Sequence, residues 1–372
     1  MRIAFVTESF LPRINGVTNS VCRVLDHLAA GGHEALVVAP GPGPDAYAGF
    51  PVRLMPSVAL PMYPSFALGL PTPRVEEVLR AFRPDVVHLA SPVVLGAPGV
   101  AAARRLGVPS VAIFQTDLAG FARRHGFRGT DTAIWSWLRR LHSQADLTLA
   151  PSTDTLSQLR SRGIPRTERW ARGVDLERFH PRHRSEELRR ELAPNGEVLV
   201  GYVGRLSADK RVHLLTRLAS LPGVRLVVVG DGPAEPRLRR QLRSAAFLGF
   251  RTGDALSQAL ASLDVFVHTG ANETFCQAIQ EALAAGVPVV APAAGGPLDL
   301  IEDGRNGLLY PPQSAAELRA AVAYLVGSPE RREEMGAWAR ASVRGRTWAS
   351  VCDQLLGHYA AVLGRTAGRT AA

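Results

Sequence analysis

The chain has 372 residues, which is too long for one ordinary core and predicts two domains. Its composition, 46% hydrophobic and 20% charged, is typical of a soluble protein. Its net charge of +10 favours an anionic partner or surface, and its three widely spaced cysteines exclude a disulfide framework. No apolar run reaches the roughly 18 residues of a membrane-spanning helix, and the first strand meets Glu8 too soon for a signal peptide, so we expect a cytoplasmic protein.

The first half of the chain alternates short apolar runs with helical patterns, which is typical of an α/β domain with a parallel sheet. Strands are predicted over residues 3–6, 34–39, 85–89, 110–114 and 146–150. A helix is predicted over 17–30, and the loop before it contains Gly16. A helix N-terminus favours an anion, so Gly16 is either part of a phosphate or sugar site or a plain turn glycine.

The same pattern restarts in the second half. Strands are predicted over 198–203, 225–229, 247–249, 264–268 and 287–291. We therefore expect domains at 1–170 and 196–346, a linker at 171–195, and a last helix at 347–363 that returns to the first domain. Two Rossmann-like halves predict a ligand in the cleft outside the carboxyl ends of their strands.

The basic residues of the chain include a single lysine, Lys210, among 43 lysines and arginines. Arginine is a flat fork with five donors, whereas lysine is a compact point charge, so the lone lysine suggests that a point charge is needed there. Arg205 lies at the end of a predicted strand, five residues earlier. We expect the two cations to converge on one diphosphate, the alternative being a solvated basic turn.

The segment 271–281 is the richest in candidate site residues. Glu273 lies at a loop or helix start, and Glu281 follows eight residues later, just over two helical turns, so both can face one cleft. The backbone N–H groups of 274–277 are expected to be free donors at a helix N-terminus. The alternative is a capping glutamate followed by a solvated one, although Glu281 lies among apolar neighbours.

Other glycine-rich loops carry weaker signals. The prolines of 41–44 lie where a phosphate cradle needs N–H groups, which indicates a plain loop. A P-loop is excluded because Lys210 follows Asp209 rather than glycine. The chain contains no Asp-x-Asp, so we expect no metal at the diphosphate. The turn at Gly295 and Gly296 either approaches a ligand or only reverses the chain.

With these motifs in this order, the chain resembles the retaining GT-B glycosyltransferases of glycosyltransferase family 4 from Arg2 to about Leu363. The motifs that carry the resemblance are Asn15-Gly16-Val17, Arg172-Gly173-Val174-Asp175 with Phe179-x-Pro181, Gly204-Arg205 with Lys210, Gly230-Asp231-Gly232-Pro233, and Glu273-x-Phe275 with Glu281. Within the family it looks most like actinobacterial GDP-mannose-dependent α-mannosyltransferases with lipid acceptors. The segments that carry this finer likeness are 7–12, 114–117 and 273–277.

The resemblance implies a role for each matching residue. Arg205 and Lys210 would hold the donor diphosphate, with Glu273 as the third catalytic residue. The remaining donor-binding residues would be Gly16 at the diphosphate or sugar, Gln115, Thr274, Phe275, Cys276 and Gln277 around the sugar, Glu281 at the ribose, and Arg251 near the base. No metal or other cofactor is implied, and a UDP-sugar donor is the alternative to GDP-mannose.

Two positions depart from the family pattern. Gln115 stands where relatives often have His, and because Gln cannot titrate, an acid or base at that position is disfavoured. Cys276 stands where many relatives have Gly, so its side chain narrows the sugar site. The favoured mechanism is front-face retention, in which the diphosphate takes the acceptor's proton and nearby cations stabilise its charge. A covalent double displacement stays open.

Two rival functions remain at this stage. A phosphorylase or epimerase has the same architecture, and Lys210 is the one lysine that could bind pyridoxal phosphate. A nucleic-acid-binding protein would fit the +10 charge, but the chain has no recognition motif for nucleic acid, and we expect none as a partner.

The segment 123–142 suggests a peripheral site on the inner face of the plasma membrane. Its basic residues are Arg123, Arg124, His125, Arg128, Arg139, Arg140 and His142. In a helix from about residue 130, Ile134, Trp137, Leu138 and Leu141 share one face, which leaves Trp135, Arg139 and Arg140 for anionic lipid. The alternative is a core helix with a solvated basic side.

Overall fold

The computed structural model describes residues 1–60, 63–124 and 129–370, which form two compact units. The first unit contains Met1–Ala171 and Trp348–Ala372, and the second contains Arg172–Thr347. The segment 172–195 therefore belongs to the second unit, and the last helix belongs to the first. Among the described helices, none is both long and apolar enough to cross a lipid bilayer.

The strands are, in chain order, β1 (Arg2–Thr7), β2 (Glu34–Pro40), β3 (Ala46–Tyr47), β4 (Phe50–Met55), β5 (Ser57–Leu60), β6 (Tyr63–Gly69), β7 (Val86–Ala90), β8 (Ser110–Ile113), β9 (Leu147–Ala150), β10 (Thr167–Arg169), β11 (Val198–Val203), β12 (Val224–Val229), β13 (Ala246–Gly249), β14 (Val265–Val267), β15 (Val289–Pro292) and β16 (Gly307–Tyr310). The first unit has an eight-stranded sheet in the order β10-β9-β8-β7-β1-β2-β4-β3, parallel except for the β3–β4 pair. The second unit has a parallel six-stranded sheet in the order β13-β12-β11-β14-β15-β16. These sheets confirm the predicted α/β class with two Rossmann-like halves.

The helices are α1 (Gly16–Ala30), α2 (Arg74–Phe82), α3 (Gly96–Arg105), α4 (Leu118–Arg124), α5 (Asp131–His142), α6 (Thr153–Ser161), α7 (Glu186–Leu192), α8 (Glu235–Gln241), α9 (Gly253–Ala261), α10 (Gln277–Ala284), α11 (Ala315–Val326), α12 (Pro329–Ser342) and α13 (Trp348–Thr370). Two of the connections that follow a strand contain short 3-10 segments. The chain after β11 forms them at Ala208–Lys210 and Val212–Arg217, and the chain after β15 forms one at Gly296–Asp299.

The central strands are apolar along their whole length because helices cover both faces of each sheet. Residues Ile3 to Val6 of β1, for example, are all buried. Helix α1 packs one stripe on this sheet, with Val21, Val24, Leu25 and Leu28 buried at helical spacing.

The last helix, α13, completes the core of the first unit. Val351, Leu355 and Tyr359 are buried in the same apolar cluster as β1 and α1. The hydroxyl of Tyr359 lies 2.6 Å from Nδ1 of His88 in β7, and the indole N–H of Trp170 donates to the carbonyl of Val351 at 2.8 Å. The apolar spacing of α13 in the sequence is therefore matched by burial on one face.

Candidate active site

The loops after β11 and β14 bring the main candidate residues of the second unit together. These two strands are neighbours in the parallel sheet, so their carboxyl ends open at the same edge. Nζ of Lys210, in the first loop, lies 2.5 Å from Oε1 of Glu273, in the second. The hydroxyl of Thr269 also donates to the carbonyl of Lys210 at 2.6 Å. The lone lysine is therefore held at the end of the sheet as one half of a partly buried ion pair.

His268, directly after β14, shares the same carboxylate. Its Nε2 lies 3.1 Å from Oε1 of Glu273, and its ring stacks on Tyr202 of β11 with centroids 6.4 Å apart. A Cβ at Gly270 would lie 2.8 Å from Oε1 of Glu273, so the glycine leaves room for the carboxylate to fold back. His268 was not predicted from the sequence, although a histidine that ends a buried strand in front of Glu273 was a usable signal.

The electrostatics of this cluster keep Glu273 ionised. Burial by itself would raise its pKa, but the charge of Lys210 and the hydrogen bond to His268 lower that pKa to about 2. Burial likewise opposes charge on Lys210, yet the Glu273 carboxylate raises the lysine's pKa above its ordinary value. A fixed cation and a fixed anion thus lie side by side in a partly desolvated site.

Arg205, the second predicted cation, lies in the loop between β11 and Lys210. Its guanidinium pairs with Asp209 at 2.9 Å and its side chain is half exposed. The loop after β12 supports it closely, because a Cβ at Gly230 would lie 2.1 Å from the carbonyl oxygen of Gly204. Gly230 also has a φ of +126°, which favours glycine. The Gly-Asp-Gly motif therefore positions the Arg205 loop.

The turn at Gly295 and Gly296 packs closely on the loop that carries Glu273. A Cβ at Gly296 would lie 2.1 Å from the carbonyl oxygen of Phe275, and the N–H of Gly296 donates to the carbonyl of Glu273 at 2.8 Å. Gly295 has a φ of +63°. The glycine pair makes the turn, and its backbone supports the loop that carries Glu273.

One geometric expectation for Glu273 and Glu281 is wrong. Helix α10 begins at Gln277, so Glu273 lies in the preceding loop and the two glutamates are not two turns apart on one helix. Thr274 is half-buried and Phe275 is buried in this loop, and Glu281 is half-buried in the helix. Gly270 and Asn272 also lie in this loop, between the end of β14 and the start of α10.

The N-terminus of α10 has an unusual cap. Its N-cap residue, Cys276, has a φ of +79° and no capping hydrogen bond from its side chain. The side-chain amide of Gln277 donates to the carbonyl of Gly173 at 3.0 Å, and the side-chain amide of Gln280 donates to the carbonyl of Arg172 at 2.9 Å. The predicted sugar-binding Gln277 thus ties α10 to the Arg-Gly-Val-Asp motif, which explains that motif's presence.

The predicted base-binding residue lies after the edge strand β13. Arg251 is exposed, and its Nε donates to the carbonyl of Leu248 at 3.0 Å. The neighbouring Phe250 is 63% exposed. Both side chains therefore lie on the surface at the carboxyl edge of the second sheet, away from the ion pair of Lys210.

In the first unit, Gly16 lies at the start of a helix and Gln115 lies after a strand. Gly16 is the exposed first residue of α1, and the Asn15 side chain accepts from the N–H groups of Val17 and Thr18 at 3.0 Å each. Two N–H groups at this helix start are therefore bonded to Asn15. Gln115 is half-buried just after β8.

A second helix start in the first unit is closed by a buried carboxylate. Glu8, directly after β1, accepts from the backbone N–H groups of residues 93–96 at 2.8 to 3.1 Å. Burial raises the pKa of Glu8, and the four donors oppose that shift. These hydrogen bonds between Glu8 and the backbone at the start of α3 were not predicted from the sequence.

The predicted lipid-facing side of α5 needs correction. Trp135 is buried, stacked on Phe114 with centroids 6.0 Å apart, whereas Trp137 is 41% exposed. His142 is buried too, and burial lowers its pKa to about 4, so it is not a surface cation. Arg139 and Arg140 are exposed. His125 and Arg128 lie outside the described residues, and the side chains of Arg123 and Arg124 are not described.

The chain is similar to known glycosyltransferases along almost its whole length. Residues 14–178 match the family model "Glycosyltransferase Family 4", and residues 184–342 match "Glycosyl transferases group 1". The chain is 54% identical to a GDP-mannose-dependent alpha-mannosyltransferase of Mycobacterium tuberculosis over 98% of both chains. It is 52% identical to the protein of that name from Mycolicibacterium smegmatis, over 100% of both. The solved sucrose-phosphate synthase of Thermosynechococcus elongatus has the same fold, with a TM-score of 0.80 and 20% identity over 98% of this chain and 99% of that one.

Proposed function

The chain belongs to glycosyltransferase family 4 and is a hexosyltransferase of the GT-B fold, and from that premise we propose that it transfers mannose from GDP-mannose to a hydroxyl group of a membrane glycolipid or phospholipid. The observation that carries the proposal is the partly buried pair of Lys210 and Glu273 at the carboxyl edge of the second sheet. It places a cation for a diphosphate beside an anion for sugar hydroxyls. The relatives named for GDP-mannose support the choice of donor.

In this proposal the second unit holds the donor. The fork of Arg205 and the ammonium of Lys210 bind the diphosphate, and the ionised Glu273 accepts hydrogen bonds from mannose hydroxyls. Backbone N–H groups at the start of α10 add donors at the sugar, since Cys276 supplies no side-chain cap. Glu281 and Arg251 contact the ribose and the base side. The roles of Gly16 and Gln115, which belong to the first unit, stay predictions from the sequence.

The reaction we propose retains configuration at the mannose. The acceptor hydroxyl attacks the anomeric carbon from the side of the leaving group, the bond to the diphosphate oxygen breaks, and the acceptor's proton passes to a β-phosphate oxygen. The protein's task is to stabilise the growing charge on the diphosphate, which Arg205 and Lys210 do electrostatically.

Removal of divalent metals with EDTA is expected to leave turnover unchanged, because these two cations take the place of a metal at the diphosphate. A rate that is lost in EDTA and restored by magnesium or manganese would contradict this metal-independent mechanism.

The donor is tested by thermal unfolding with GDP-mannose, UDP-glucose and ADP-glucose. A ligand that binds the folded protein raises its melting temperature, so GDP-mannose should give the largest shift. Labelled GDP-mannose supplied with glycolipid vesicles should then deliver label to the lipid phase. A larger shift with UDP-glucose would favour the alternative donor, and label accepted only by a soluble mannoside would exclude the lipid acceptor.

We further propose that the first unit rests on anionic lipid through α5. Exposed Trp137 supplies an aromatic ring, with its indole N–H donating to the carbonyl of Val93 at 2.9 Å, and exposed Arg139 and Arg140 supply charge. Each cation near such a surface contributes about 1 kcal/mol. This corrected surface replaces the one that relied on Trp135. It would keep the enzyme at the inner face of the plasma membrane, where its acceptor lies.

Vesicle sedimentation tests this membrane surface. Reversing Arg139 and Arg140 to Glu should lower binding to acidic vesicles at least about 30-fold, from about 1 kcal/mol lost per cation. The matched control reverses Arg240 and Arg243, two exposed arginines of the second unit, and changes net charge equally. Equal losses in the two double variants would show a general charge effect and remove the role of α5.

A further inference from the structure

Three side chains that commonly bind metals meet beside Lys210. Sγ of Cys276 lies 3.6 Å from both ring nitrogens of His268, and Nε2 of His268 lies 3.1 Å from Oε1 of Glu273. The three ligand atoms lie within 4.8 Å of one another. His268 and Cys276 are buried, and the Glu273 side chain is 11% exposed. Among the described residues, this is the group with the composition of a metal site.

The separations in the cluster are those that a small tetrahedral ion spans, but one side chain has to turn. Zinc lies about 2.3 Å from a cysteine sulfur and about 2.0 to 2.1 Å from a histidine nitrogen, which separates those two atoms by about 3.6 Å at the tetrahedral angle. Sγ of Cys276 is 3.6 Å from both ring nitrogens of His268, so it lies off the lone-pair direction of each, and its side chain must rotate to reach an ion held at Nε2. The corresponding separation of nitrogen and carboxylate oxygen is about 3.3 Å, against the 3.1 Å observed.

The donor set also selects the kind of ion. One thiolate and one imidazole favour zinc and related soft ions, whereas magnesium, calcium and manganese favour oxygen ligands. We propose that Cys276, His268 and Glu273 form a binding site for a thiophilic divalent cation such as Zn²⁺, and that its occupancy closes the donor site. The residues lie close together in the chain, at a strand end, in a loop and at a helix cap.

Closure follows from competition for one atom. Nζ of Lys210 lies 2.5 Å from Oε1 of Glu273, the oxygen that also faces His268. An ion that binds this oxygen displaces the ammonium of Lys210. To become ligands, the Cys276 thiol and Nε2 of His268, which donates its hydrogen to Glu273, each release a proton to solvent. Glu273 then cannot hold sugar hydroxyls and Lys210 loses its fixed position. This inhibitory part rests on the proposed function, whereas the binding part rests on the geometry alone.

The binding part is tested with Co²⁺, a spectroscopic substitute for zinc, on the full-length protein. The wild type should develop a thiolate-to-cobalt charge-transfer band that excess Zn²⁺ removes. Cys276→Gly should abolish the band, and its fold should be safe because residue 276 has a φ of +79°, which glycine adopts without strain. Absence of the band in the wild type, or its persistence in Cys276→Gly, would overturn the site.

Two further variants keep this test sharp. Cys22→Ser removes a half-buried thiol of the first unit and should leave the band intact. Glu273→Gln keeps the shape of the side chain, so the band should persist while cobalt affinity falls at least about tenfold. A band lost in Cys22→Ser would place the metal elsewhere, and unchanged affinity in Glu273→Gln would remove the carboxylate from the ligand set.

The inhibitory part is tested separately by mannosyl transfer. Zinc should lower the wild-type rate, and a chelator should restore it, with an inhibition constant that rises as GDP-mannose increases. In Cys276→Gly, zinc should have at least about tenfold less effect relative to that variant's own rate. A full rate of mannosyl transfer with the cluster saturated by zinc would overturn the proposal that the bound ion closes the donor site. Failure of transfer without any metal would instead count against the proposed function, while the cobalt band would remain informative.

Discussion

Helices α1 and α3 of the first unit start differently from α10 of the second. Asn15 closes α1 by accepting from two backbone N–H groups, and Glu8 accepts from the four N–H groups of residues 93–96, the last of which begins α3. Helix α10 starts at Cys276, whose side chain caps nothing, in a loop held by the backbone of Gly296. All three are positive ends of helix dipoles at the carboxyl edge of a parallel sheet.

The difference teaches that the positive end of a helix dipole can either stabilise the fold or stay available for a ligand. The loop before the helix decides which. Where the loop supplies its own acceptor, as at Asn15, the helix end contributes to stability. Where the loop turns its carboxylate back onto a cation, as Glu273 does onto Lys210, the helix end stays available for a ligand. We therefore expect substitutions at α10 to change catalysis and those at α1 to change stability.

The strongest test of this contrast is Lys210→Arg. The guanidinium keeps the charge but is a larger, flat group that cannot occupy the place of an ammonium 2.5 Å from Glu273. We expect kcat to fall by about 10²-fold with an unchanged melting temperature, as for the loss of a charge-stabilising donor. Arg243→Lys, an exchange at an exposed site of the same unit, is the control. A near-normal kcat in Lys210→Arg would contradict the special role of the lone lysine.

A second test separates the two glutamates around the start of α10. Glu273→Ala should mainly lower kcat, because Glu273 touches the transferred sugar in our proposal. Glu281→Ala should mainly raise the KM for the donor, by about tenfold, because it would bind the ribose in the ground and transition states alike. Steady-state kinetics at saturating acceptor distinguish the two. Small and equal changes would mean that both residues only support the local structure.

The smallest expected effect lies at the closed end in the first unit. Asn15→Ala removes a cap that accepts from Val17 and Thr18, and should lower the free energy of unfolding by about 1 kcal/mol. Asn19→Ala, at an exposed site one turn further along α1, is the control. Urea unfolding measures both. A loss of turnover in Asn15→Ala without loss of stability would show that this end also binds ligand.

The fold and most of the site loops were predictable from the sequence because they depend on local patterns. Buried strands are apolar throughout, and the lone Lys210 is conspicuous in composition. The pairing of Lys210 with His268 and Glu273 was less accessible, since it depends on which strands are neighbours in the sheet. The start of α10 was misplaced because Cys276 adopts a left-handed backbone conformation, which no helix-start rule expects.

Periodicity also failed on α5. Trp135 and Trp137 are two positions apart, and the pattern favoured Trp137 for the core. The structure buries Trp135, since Phe114 stacks on its ring and the Arg162 guanidinium lies 4.9 Å above it. A short helix with apolar residues on several sides does not determine its own rotation, so partners from distant segments decide it.

The position of α13 has a consequence for how the protein is made. The ribosome finishes residues 1–171 long before it reaches Val351 and Tyr359, which fill the core of that same unit. His88 and Tyr359, in hydrogen-bond contact, are 271 positions apart. During synthesis the first unit must wait with an open apolar face, and closing so long a loop slows its completion. A nascent chain stalled before Trp348 should therefore be the species most dependent on chaperones.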